Sequence, residues 1–112
     1  MYNPDRWLLV KINGKDPHYR VFACWYGGYL GSDSWRMNSG ITSIREDDNY
    51  YIFSGSSGSE YFCHKKSHGI SSYGSSVLHS MIEKSPELNM EIVSEETNVM
   101  TLNFKNEENN VE

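Results

Sequence analysis

Apolar and polar residues along the chain fall into short blocks. Trp7-Leu8-Leu9-Val10-Lys11-Ile12 is rich in β-forming types and predicts a first strand. Asn13-Gly14 follows as a turn signal, and Asp16-Pro17 prolongs the connection. Tyr19 to Tyr26 alternates as Tyr19, Val21, Ala23, Trp25 on one face and Arg20, Phe22, Cys24, Tyr26 on the other, which predicts a second strand. Gly27-Gly28 and Gly31 end it in a mobile or specially shaped loop. Trp35 to Glu46 reads as extended with a kink at Ser39-Gly40. Asp47-Asp48-Asn49 reads as a hairpin turn, and Tyr50-Tyr51-Ile52-Phe53 as the returning strand.

Ser54 to Ser59 contains no apolar residue. It suits either a flexible linker or a hairpin tip. The strand-like Glu60-Tyr61-Phe62-Cys63-His64 just beyond it favours the hairpin. Ser67 to Ser72 reads as a loop. Tyr73 to Lys84 predicts a helix, because Val77, Leu78, Met81 and Ile82 form one apolar stripe. Ser72 or Ser75 can cap it, and Pro86 lies beyond its end. Glu91-Ile92-Val93 and Val99 to Phe104 read as two closing strands around an Asn98 turn. Together these elements predict an α+β fold: an antiparallel β-sheet of five to seven strands with one helix packed on one face. Residues 1–105 form one compact domain in this reading, and 106–112 form a frayed, polar, acidic tail.

Composition sharpens the picture. Fifteen of the 112 residues are aromatic, and 14 of them precede residue 82. Each large ring buries roughly 150–250 Å², so few residues suffice for a core. The N-terminal residues lack the long apolar stretch of a signal peptide, and no run approaches the ~20 apolar residues of a membrane helix. The expectation is a soluble, cytoplasmic protein with no membrane partner. The net charge of −5 is uneven. Residues 1–81 carry eight basic and seven acidic side chains, whereas residues 82–112 carry two basic and eight acidic ones. The body at +1 is too weakly charged to drive counterion release, which argues against long nucleic acid as a partner. A small anion is not excluded by that charge. The acidic end suits solubility or a basic partner surface.

Cys24 and Cys63 sit inside predicted strands and read as small buried side chains; a disulfide would need an oxidising compartment. Cys63, His64 and His68 include the H-x₃-H spacing, but Cys63 and His64 point to opposite faces of a strand and no C-x₂-C pair completes a zinc set. No metal or other cofactor is expected. His18, His64, His68 and His79 are candidates for acid–base chemistry in a small nuclease or phosphodiesterase, with His64 and His68 the pair of choice. Their spacing is not diagnostic. Gly55-Ser56-Ser57-Gly58 is neither a nucleophile elbow nor a phosphate-binding Walker loop.

The more informative constellation is aromatic. Trp25, Tyr26, Tyr29 and Trp35 lie within eleven residues, threaded by glycines and followed by Arg36. Rings stack on bases or anchor a protein partner, and glycines let backbone approach a ligand. Arg36 and Arg45 can donate bidentately to phosphate or carboxylate. Ser56 and Ser57, in the serine-rich loop, add hydroxyls and backbone N–H groups suited to an anion. These eight residues form the candidate site for a nucleotide-like ligand. The competing reading makes Trp25 and Trp35 core residues and the glycines simple turns.

Ser34-Trp35-Arg36-Met37-Asn38-Ser39-Gly40-Ile41 and Phe53-Ser54-Gly55-Ser56-Ser57-Gly58-Ser59-Glu60-Tyr61-Phe62-Cys63-His64 resemble small accessory proteins of T4-type tailed phages. The resemblance spans roughly residues 7–82 and transfers no functional residue. It implies a protein acting in the host cytoplasm by binding, without catalysis. Such a protein would counter host defence or redirect host metabolism, either by sequestering a nucleotide-like signal or by inhibiting a host protein. The enzyme reading on His64 and His68 and a minor virion role are the alternatives. Exposed strand edges also suit a homo-oligomer.

Overall fold

The computed structural model describes residues 1–27 and 31–104. β1 (Arg6–Ile12) and β2 (His18–Trp25) form an antiparallel pair in the register Trp7↔Ala23 and Leu9↔Val21. β3 (Ser34–Met37) pairs with the far end of β2, from Phe22 to Trp25. β4 (Ile41–Glu46), β5 (Tyr50–Gly55) and β6 (Glu60–His64) form a separate meander. α1 (Ser72–Lys84) follows, and β7 (Met90–Ile92) returns antiparallel to β1. The strands thus form two antiparallel sheets, ordered β3-β2-β1-β7 and β4-β5-β6. The α+β class with antiparallel strands and a helix on one face holds, but the strands are divided where a single sheet was expected.

Burial explains the division. Trp7, Leu8, Leu9 and Val10 are all buried, as are Val21, Phe22, Ala23 and Cys24. A strand buried on both faces reads as a continuous apolar run. On one face of the four-stranded sheet, Leu8, Val10, Ile12, Phe22 and Cys24 pack on Leu78 of α1. On the other, Trp7, Leu9, Val21 and Ala23 meet Ile41, Phe53, Tyr61 and Cys63 of the second sheet. The four-stranded sheet is therefore the middle layer of three. Against it, the meander strand β4 exposes most of its residues after Ile41.

The predicted Trp35–Glu46 strand is two strands in different sheets. The break falls at Asn38-Ser39-Gly40. Asn38 Oδ1 accepts from the Val21 N–H at 2.9 Å, so a side chain takes over where β3 stops. Gly40 has φ +154°, a value that L side chains rarely adopt, and there the chain passes to the second sheet. The Asp47 turn is present: its carboxylate accepts from the Asn49 and Tyr50 N–H groups, which hold it below the usual carboxylate range. The serine-rich segment is a hairpin tip, closed by Gly55 N–H to Ser59 O at 2.8 Å.

Two local expectations need correction. α1 is capped by Ser71, not by Ser72 or Ser75; the Ser71 hydroxyl accepts from Gly74 N–H at 3.0 Å. Val99 to Phe104 is not a strand. Asn98 caps a single 3-10 turn, Val99–Thr101, by accepting from Met100 N–H at 3.1 Å, and Val99 plugs the core between the sheets. The N-terminus also contributes: Tyr2 bridges in parallel to Tyr61 and covers part of the β6 edge. No helix among the described residues is long and apolar enough to cross a membrane.

Candidate functional site

Of the eight sequence-predicted site residues, the seven that are described do not converge on one place. Trp35 lies opposite Cys24 and stacks on Phe22, with ring centroids 5.5 Å apart and planes 4° apart, on the α1 side of the sheet. Arg36 is the next residue on β3 and therefore faces the other side, where its guanidinium sits 4.5 Å over the Tyr2 ring. Trp25 is half-buried, donates Nε1–H to the Asn3 carbonyl at 3.1 Å and meets Tyr2 edge-on. Tyr26 is exposed; its N–H donates to Asp5, and its hydroxyl accepts from Arg6 Nε. Arg45 is exposed and paired with Glu60 at 3.0 Å. Ser57 faces Ser59 at the hairpin tip. Tyr29 lies outside the described residues.

The alternative pair is separated in role. His64 Nδ1 accepts from Lys66 N–H at 3.1 Å and its ring meets Tyr50, so it acts as a local cap. His68 is half-buried edge-on to Trp7, and burial lowers its pKa despite the nearby Glu95 carboxylate. Cys24 and Cys63 are both free and buried, in different sheets, and burial pushes the Cys63 thiol up, which makes it a poor nucleophile or ligand. No group of three or more His, Cys, Asp or Glu among the described residues is placed to hold a metal ion.

Ser56 does reach a cleft. It lies where β3 ends short of the start of β2, and its volume is about 460 Å³. Its walls include His18 and Arg20 from β2, Ser39 and Gly40 from the crossover, Ser56 from the hairpin tip, and Phe104. β3 pairs only from Phe22 onward, so nothing in that strand covers His18 to Arg20. The Ser56 N–H donates to Gly40 O at 2.8 Å, which clamps the hairpin tip to the crossover. A side chain at position 40 would approach His18 and Ser56, so glycine keeps that wall open.

Hydrogen bonds set the chemistry. His18 Nδ1 lies 2.6 Å from the Asp16 carbonyl and donates to it. Its Nε2 accepts from Arg20 Nε–H at 2.9 Å. In this arrangement Nδ1 is the donor and Nε2 the acceptor, so both ring nitrogens are engaged. Arg20 is half-buried; burial lowers its pKa, yet a guanidinium stays charged at any physiological pH. The ion pairs among the described residues are Arg45–Glu60 and Lys65–Glu46, and neither involves Arg20. The Ser39 and Ser56 hydroxyls lie 2.7 Å apart. One hydrogen joins them, which leaves the other to donate outward. The cleft, which Asp16 also lines, thus offers Arg20, a half-buried cation in no ion pair among the described residues, and a hydroxyl donor beside the half-buried Phe104 ring.

Sequence reasoning had His18 among its histidines and Ser56 in its anion loop, but missed Arg20, Ser39 and Phe104 as site residues. The available signal was Arg20 itself, a charge on the face of a strand otherwise made of Phe22, Cys24 and Tyr26. No protein-family model, curated protein or solved structure matches the chain.

Proposed function

We propose that this chain is a non-enzymatic binding protein that captures a small phosphate-bearing, nucleotide-like ligand in the cleft between His18, Arg20, Ser39 and Ser56. The observation that carries the reading is Arg20: a half-buried guanidinium, oriented through His18 and free of any carboxylate in the described ion pairs. A cation removed from water calls for an anion, and charge-assisted hydrogen bonds to phosphate are the strong kind. The Ser39–Ser56 hydroxyls supply a neutral donor, and Phe104 an apolar wall for a base. The volume lies within the roughly 300–1,000 Å³ of small-molecule sites. Capture without turnover follows from His18, whose Nε2 is taken by Arg20 and cannot serve as a base for either serine. The setting of a phage accessory protein that quenches a nucleotide defence signal rests on the resemblance of the two stretches alone.

Calorimetric titration with cyclic mono- and dinucleotides and with inorganic phosphate tests this. Saturable binding is expected, with the nucleotide recovered intact by chromatography. Arg20→Ala should weaken it by about 10–100-fold, the worth of one charged hydrogen-bonding group. The double variant Trp35→Ala, Arg36→Ala should bind like wild type if it folds. No binding by any of these probes, or conversion of a bound nucleotide, would defeat the proposal.

A further inference from the structure

Among the described residues β3 is an edge strand, with a neighbour on one side only. The Cys24 carbonyl accepts from Asp5 N–H at 2.9 Å, on the β1 side. Ala23 and Trp25 therefore bond across to Arg36 and Ser34, and the backbone N–H and C=O groups of Trp35 and Met37 turn outward. Such an edge is a template for another strand unless it is covered or charged.

The charge here is Arg36, exposed, with its guanidinium carbon 4.5 Å from the Tyr2 ring centroid. A guanidinium over a ring face can still present its N–H fork to a carboxylate. The carboxylates of the adjoining segments are committed elsewhere. Asp5 accepts from Tyr26 N–H, Asp33 accepts from Gly27 N–H, and Glu60 pairs with Arg45. No ion pair among the described residues involves Arg36. Trp25, edge-on to Tyr2 and half-buried, adds an apolar flank. Tryptophan, tyrosine and arginine are the residue types that dominate protein-binding hot spots.

We infer that the outer edge of β3 docks an extended acidic segment of a protein partner, whose backbone continues the sheet and whose carboxylate takes Arg36. This site shares no residue with the cleft, so either can fail alone. A nucleotide would satisfy Arg36 but not the outward backbone of Trp35 and Met37, which is why a peptide is favoured.

The test is NMR titration of the isotope-labelled protein with a short peptide alternating Leu and Glu, beside a twin carrying Gln for Glu. The acidic peptide should shift the Trp35 and Met37 amides and slow their exchange with solvent, and the Gln twin should bind about ten-fold more weakly. Arg36→Gln should remove that preference, Arg36→Lys should restore part of it, and Arg20→Ala should leave it intact. Arg36 is exposed, and thermal melting of its variants confirms that they fold. Absence of binding at millimolar peptide, equal binding of the twins, shifts confined to other residues, or unchanged binding by Arg36→Gln would each overturn the inference.

Discussion

The two ends of β2 both carry an arginine beside aromatic rings, yet they differ in what is left for a ligand. At the Trp25 end the rings are spent on packing. Trp35 lies on Phe22, Trp25 meets Tyr2, and α1 presses in so closely that a Cβ on Gly74 would overlap Cys24 Sγ. Its arginine, Arg36, stands outside on the sheet edge. At the His18 end β3 stops short of the start of β2, and a cleft opens whose arginine, Arg20, donates to the His18 ring and is in no ion pair among the described residues. Density of aromatics along the chain marks the first region; an isolated charge within a strand marks the second. On the proposed reading the isolated charge is the better guide to ligand chemistry, because rings stabilise a core wherever they are buried, while a half-buried cation favours an anionic partner.

Substitutions sharpen the contrast. Phe22→Ala should have the largest effect, because Phe22 is fully buried under Trp35 and beside α1. A loss of about 3–5 kcal/mol is expected in denaturant melts. Gly74→Ala should come next. Alanine favours a helix over glycine by about 1 kcal/mol, but overpacking against a buried strand costs about 1–3 kcal/mol. Net destabilisation is the expected sign, and a more stable variant would show that α1 can retreat from Cys24. Arg45→Ala should do least. Its pair with Glu60 is exposed, so the change in stability should stay below about 1 kcal/mol, and nucleotide binding should be unaltered. Loss of binding in that variant would return Arg45 to the ligand site and erase the distinction between the two regions.

Much of the fold is legible along the chain. The strands Arg6–Ile12, His18–Trp25, Tyr50–Gly55 and Glu60–His64 follow their β-forming runs, and the α1 stripe follows its helical spacing. Other features needed longer-range information. The continuous burial of Trp7 to Val10 requires a cover on each face, and the second cover is built from residues more than thirty positions away. Val99 to Phe104 has the composition of a strand, but Asn98 captures the first turn locally and no sheet edge receives the rest.

Local backbone preference and periodicity were enough for the α+β class, the hairpin at Asp47, the serine-rich tip and the helix. The sequence also held Arg20 in plain view within a strand. Three-dimensional packing was needed to divide the strands between two sheets, to set Trp35 on Phe22 and Arg36 over Tyr2, and to gather His18, Arg20, Ser39 and Ser56 around one cleft. The physical reason is that side-chain alternation assigns a face but not its occupant: what a face meets depends on which distant segment packs there, and that choice is made by burial across the whole chain.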